Sequence, residues 1–210
     1  DPDEMVAAIE KYFGDWQPSD SLPKRIFPQE KPLEAPVSVD VVGMETPMVA
    51  LGWRLPAKAD PQYGIMSVVQ QILTNGKCGL FDENLNNAQQ VMQAMTFLDG
   101  MTDQSAFWAI GCPKEGQSLE EVRDLMLSQV RLLAGGEWDE SLLKGILNNM
   151  KRRQLEDMQS NEMRAHRFVD AFVSGQEWAD AVGEMQRLDT LTKKTVVDCA
   201  RRMLTEGYGC

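Results

Sequence analysis

Apolar residues at Met5, Ile9, Tyr12 and Phe13 recur at the helical interval along the opening of the chain. Asp1 stands before them as an N-cap, Pro2 fits the first helical position, and Asp3 and Glu4 suit the positive end of the helix dipole. Gly14 follows as a stop, so the pattern predicts a helix ending there. From Asp15 to Pro36 the periodicity vanishes. Pro18, Pro23, Pro28, Pro32 and Pro36 resist both helix and central strand, which predicts an extended connector. A period of two then begins: Val37, Val39 and Val41 alternate with Ser38 and Asp40, and Val49, Leu51 and Trp53 continue it beyond Thr46-Pro47. Two strands meeting near Gly43 to Pro47 are expected.

Asp60-Pro61 opens a helix whose apolar face is Ile65, Met66, Val69, Ile72 and Leu73, closed by Asn75-Gly76. A short turn or helix over 80–85 leads to two apolar runs, 91–98 and 106–112, flanking Asp99 to Asp103; these read as a hairpin with a long turn. The second half is helical by pattern. Ser118 and Glu121 make a capping box ahead of Val122, Leu125, Met126, Val130 and Leu133, with Gly135-Gly136 behind. Asp139 caps a helix bearing Leu143, Ile146, Leu147 and Met150, and Ser160 caps another bearing Phe168, Val169 and Phe172 before Gly175. A short helix over 177–185 and a last one over 192–204 complete the set. Strands first and helices afterwards predict an α+β fold, a mostly antiparallel sheet with helices packed on one face. The aromatic residues Trp53, Phe97, Phe107, Trp108, Phe168 and Phe172 are expected in the core.

Composition narrows what such a fold does. The net charge is −11, with acidic residues spread along the chain, so long-range electrostatics oppose nucleic acid and anionic lipid. The basic run Lys151 to Arg153 lies beside Glu156 and Asp157 and reads as a solvated helix face. No apolar run approaches the roughly 20 residues a membrane-spanning helix requires. Cys78, Cys112, Cys199 and Cys210 lack the spacing of a zinc site or thiol redox motif and read as small hydrophobes. His166 is the only histidine, which rules out a multi-histidine metal site built from this chain. Glu162, His166 and Asp170 share a helix face, although their spacing suits a wet surface better than a catalytic metal. Gly76-Lys77-Cys78-Gly79 lacks the G-x-x-x-x-G-K-S/T layout of a phosphate loop and reads as a tight turn. The adjacent carboxylates Asp82/Glu83 and Glu120/Glu121 point apart on a helix and suit capping. No metal site and no catalytic residue is therefore assigned within the chain.

Several segments together resemble the pitrilysin/insulinase zinc metallopeptidases. DPDEMVAAIEKYFGDW resembles the helix that ends one homologous domain, TPMVALGWRLP the second strand of the next, ILTNGKCGLFDENLNN its following helix and glycine turn, and LTKKTVVDCARRML its closing helix. The resemblance implies residues 1–14 as the terminal helix of a preceding domain, 15–35 as a linker and 36–210 as a further α+β domain. In that family homologous domains enclose a chamber for unfolded peptides, and one supplies zinc through H-x-x-E-H. That motif is missing from this chain, so zinc is expected in a neighbouring domain of a larger parent, and this domain is expected to be inactive alone. Partner domains of the family show an Arg followed seven residues later by a Tyr that support the substrate. With Leu85 aligned to the Leu preceding that Arg, these positions hold Asn86 and Gln93, which become the candidate chamber-lining residues. The implied partners are homologous domains of the same polypeptide and a peptide substrate. The implied function is a chamber-forming domain of a peptide-degrading zinc enzyme, with an inactive assembly subunit as the alternative. Family habit points to the bacterial periplasm or to secretion.

Overall fold

The computed structural model describes residues 1–19, 21, 28, 30–204 and 206–210. The connector expected over 15–35 lies partly outside these described residues. The chain divides into two compact units, Asp1–Lys31 and Pro32–Cys210.

The first unit holds helix α1, Pro2–Phe13. Its Asp1 cap accepts a hydrogen bond from the Asp3 amide at 2.9 Å. The expected apolar positions fall on one side, yet none of its residues is buried.

The second unit is built on three antiparallel strands, β1 (Val49–Leu55), β2 (Gln93–Asp99) and β3 (Ser105–Cys112), in the order β1-β3-β2. Alternation sends Val49, Leu51, Trp53 and Leu55 from β1, Phe107 and Ala109 from β3, and Ala94 from β2 to one face. Helices α2 (Pro61–Leu73), α3 (Leu119–Gly135) and α7 (Lys193–Met203) cover that face, contributing Met66, Val69, Ile72, Met126, Leu133 and Val196, each fully buried. Removing such side chains from water contributes about 1.5–3 kcal/mol apiece. At Gly111 an added Cβ would lie 2.5 Å from Val122 Cγ1, so the missing side chain lets α3 approach the sheet closely. Helix α4 (Glu140–Asp157) adds Leu143, Ile146 and Leu147 to the same core.

The end signals operate as the sequence predicts. Asp60, Asp139, Ser160 and Thr192 each accept a first-turn amide, Ser118 and Glu121 complete their capping box, and Gly136 and Gly175 close α3 and α5 (Asn161–Ser174) in the left-handed conformation. Helix α6 spans Trp178–Leu188, three residues beyond the expected end, and the short element after the glycine turn is a π-helical turn over Asp82–Asn87.

Two expectations are corrected. Residues 37–41 form no hairpin with β1. The segment Tyr208–Cys210 inserts between the two arms: Gly209 exchanges backbone hydrogen bonds with Gly52 at 2.9 Å, and Val37 pairs in parallel with Tyr208 and Cys210. Tyr208 is drawn there by burial of its ring against Trp53, centroids 5.4 Å apart. Of the six aromatics assigned to the core, only Trp53 and Phe107 are fully enclosed. Phe97, Phe168 and Phe172 are exposed, Phe172 at 86%, because α5 buries only Ala171 and Ser174 and leaves its larger residues outside.

Candidate functional site

The glycine turn after α2 is organised by two side chains. Asp82 Oδ2, nearly inaccessible to solvent, accepts the amides of Asn75 at 2.8 Å, Gly76 at 2.9 Å and Gly79 at 3.1 Å. Asn75 Oδ1 accepts those of Lys77 and Cys78, both at 3.0 Å. The turn's amides are thus consumed internally, and no phosphate cradle remains. The π-helical turn then buries Leu85 and swings Asn86 toward β2. There the Asn86 amide donates to Ala94 C=O at 2.9 Å and accepts from Ala94 N–H at 2.7 Å. Lys114 Nζ on Gln89 C=O (2.7 Å) and Gln117 Nε2 on Gln90 C=O (3.0 Å) hold the loop that follows.

Asn86 is therefore a clamp on β2, half-buried, while Gln93 is exposed on the first residue of that strand. Its side chain shares a sheet face with Met95 and Phe97, by alternation from the buried Ala94 and Thr96. Trp108 and Ile110 of β3 and Ala50 and Gly52 of β1 continue this second face. Phe97 and Trp108 stack with centroids 6.4 Å apart and planes 21° from parallel. Gly52 makes room for the indole, since an added Cβ would lie 2.9 Å from Trp108 Cζ3. The outcome is an aromatic and methionine platform, with Phe97 41% exposed and Met95 37% exposed. Such a surface offers nonspecific apolar contact and a polar edge at Gln93.

The resemblance points to position 93, and nothing in it points to the aromatic surface beside that position. The signal was available in Ser105–Ile110, a run in which Trp108 and Ile110 alternate with Phe107 and Ala109, giving a strand apolar on both faces.

The remaining candidates resolve into structural roles. Among the described residues no three His, Cys, Asp or Glu side chains gather as a metal would need. His166 Nε2 stands 3.8 Å from Glu162, while Asp170 is taken by Lys58 at 2.5 Å. That ion pair borders a cavity of about 410 Å³ between α2, α4, α5 and α6, where Arg167 and Glu184 also face inward. Burial, then the charges of Asp170, Asp99 and Glu184, push the Tyr63 phenol at this cavity above its ordinary value. Burial likewise raises the Cys199 thiol, which suits an inert core residue. No helix among the described residues is long and apolar enough to cross a membrane.

Residues 1–150 match the family model described as the Peptidase M16 inactive domain. No curated protein matches the chain. Among solved structures, a protease from Helicobacter pylori superposes on all of the chain with a TM-score of 0.91 at 19% identity, the chain spanning 51% of that protein. The periplasmic protease PqqL from Escherichia coli also matches the whole chain, TM-score 0.73 at 19% identity, with 24% of its own length covered. The inactive peptidase domain of a protein assigned as a zinc protease in Bordetella parapertussis matches 81% of the chain and is itself 90% covered, TM-score 0.70 at 16% identity. The chain thus spans about half of the first of these proteins and a quarter of the second.

Proposed function

Because this chain belongs to the M16 peptidases, where it matches the inactive domain, we propose that it forms a wall of a peptide chamber in a zinc-dependent endopeptidase. The observation that carries the proposal is the open sheet face. Met95, Phe97, Trp108 and Ile110 present a broad apolar surface beside Gln93, suited to unfolded peptide, which offers mixed side chains and no fixed shape. Phe97 and Trp108 would stack on aromatic substrate side chains and Met95 would adapt to aliphatic ones.

The chemistry of hydrolysis belongs elsewhere in the parent. Activating water for peptide cleavage takes a zinc ion held by protein ligands and a carboxylate base. With one histidine, exposed and beside a lone glutamate, this chain's donor set does not fit such an ion. In the proposed arrangement a neighbouring domain carries the zinc, and this domain binds and confines the substrate. Helix α1 closes a preceding homologous domain, whose core covers Met5, Ile9, Tyr12 and Phe13. Asn86 contributes by fixing β2, and Gln93 by hydrogen bonding to peptide.

The test is hydrolysis of varied unstructured peptides by the full-length parent, with and without a chelator, beside the 210-residue chain alone. Cleavage by the parent, its loss on chelation and inertness of the chain support the proposal. A zinc-loaded parent inert towards all the peptides replaces it with an assembly subunit. In an active parent, Phe97→Ser should raise KM several-fold with kcat little changed, as expected for loss of uniform substrate binding.

A further inference from the structure

Asn75 is the only asparagine of the chain that is followed by glycine. In an unstructured chain such a pair modifies itself. The glycine nitrogen, unshielded by any side chain of its own, gives up its proton to solvent and bonds to the carboxamide carbon of the asparagine. The Cγ–Nδ2 bond breaks, ammonia leaves with a proton taken from solvent, and a cyclic imide remains. Water then opens the imide at either carbonyl, giving aspartate or its β-linked isomer. The reaction consumes only water and needs a backbone free to bend around the ring.

Nothing around the turn shields this pair sterically. Gly76 is exposed, and an added Cβ there would meet no atom within 4 Å, so water enters and ammonia leaves without hindrance. What restrains the pair is its hydrogen bonding. Gly76 N–H donates to Asp82 Oδ2 at 2.9 Å, and the same oxygen holds the amides of Asn75 and Gly79. Stripping the Gly76 proton would create a negative nitrogen 2.9 Å from a carboxylate oxygen that is almost shut off from water, where like charges repel strongly. The group to be attacked is held as well. Asn75 Oδ1 accepts from Lys77 N–H and Cys78 N–H at 3.0 Å, and Nδ2 donates to Gln71 C=O at 3.0 Å. Ring closure gives up the Gly76 and Nδ2 bonds outright.

We propose that Asn75–Gly76 is a latent self-modification site, kept unreacted by Asp82 while the glycine turn is folded and converted by deamidation when the turn opens. The conversion runs one way. Aspartate at position 75 sets a carboxylate oxygen against Gln71 C=O, where Nδ2 had donated. The β-linked isomer lengthens the main chain by a carbon just before Gly76, which shifts the Gly76 and Gly79 amides out of register with Asp82. The π-helical turn that starts at Asp82 carries Asn86, the clamp on Ala94, so the modified turn slackens its hold on β2. An opening of the turn is thereby recorded in covalent form.

The test incubates the 210-residue chain and the free peptide Leu-Thr-Asn-Gly-Lys-Cys-Gly-Leu, residues 73–80, in the same mildly alkaline buffer. Conversion of Asn75 is followed by mass spectrometry of proteolytic fragments. Asp82→Asn and Asp82→Ala chains are treated alongside, and circular dichroism shows whether each is folded; the Asn variant carries the test if the Ala variant unfolds. Deamidation at least about tenfold slower in the unsubstituted chain than in the peptide, with most of that protection lost in the folded Asp82→Asn chain, supports the proposal. Conversion of the unsubstituted chain at the peptide's rate overturns it. Full protection in a folded Asp82→Asn chain overturns the role of Asp82.

Discussion

Replacing Asp82 with alanine should be among the most damaging single changes outside the hydrophobic core. One carboxylate oxygen accepts three backbone amides, and the three differ in what happens when it is lost. Gly76 is exposed and Asn75 half-buried, so water replaces much of what they lose, at about 0.5–1 kcal/mol each. Gly79 is buried and is left with an unsatisfied donor, a cost of about 2–3 kcal/mol. The expected total is about 3–5 kcal/mol. Asp82→Asn keeps a carbonyl oxygen in place but turns charge-assisted bonds into neutral ones, for an expected loss of about 1.5 kcal/mol. Urea unfolding followed by tryptophan fluorescence and far-UV circular dichroism reads both. With a slope of about 2 kcal/mol per molar urea, the Ala variant should unfold at least about 1.5 M earlier than the unsubstituted chain. An Ala variant within about 1 kcal/mol of the parent chain, or an Asn variant as damaged as the Ala variant, would refute the assignment of Asp82 as the organiser of the turn.

Other sites give sharper contrasts. Gly52→Val should displace the Trp108 indole, red-shift tryptophan emission and destabilise by about 1–3 kcal/mol, since its Cβ alone would sit 2.9 Å from Cζ3. Phe172→Ser should change stability by less than about 0.5 kcal/mol in the same urea titration, because the ring is already in water. The Tyr63 phenol is raised above 10.0, so its favourable contribution is complete below the unfolded value and is lost as pH rises through the folded one. Stability should therefore fall above pH 10.0, and Tyr63→Phe should flatten that decline in thermal melts.

What the sequence reveals about this fold follows the range of the interactions involved. Helix boundaries are legible because their causes are local: Asp60, Ser118, Asp139, Ser160 and Thr192 bond amides two or three residues away. The hairpin β2–β3 is legible for the same reason. The place of Val37 is not, because its partner is Tyr208, and no periodicity near Val37 registers a residue so distant along the chain. Phe168 and Phe172 show the converse difficulty. Their spacing marks an apolar helix face correctly, but spacing does not say whether anything within the described residues covers it. For the candidate site, position 93 comes from the resemblance alone, whereas the apolar surface around it depends on which face of the sheet the helices choose.

The pairing of Asn86 with Ala94 also bears on how this protein behaves in concentrated solution. An edge strand with bare amides and carbonyls invites a second molecule to add to the sheet. At Ala94 the carboxamide of Asn86 fills the position of a neighbouring strand's peptide group, and Gln70 Nε2 does the same for Thr96 C=O at 2.8 Å. Two uncharged side chains thereby give β2 protection against self-association, a guard that removing either amide would weaken at its own position.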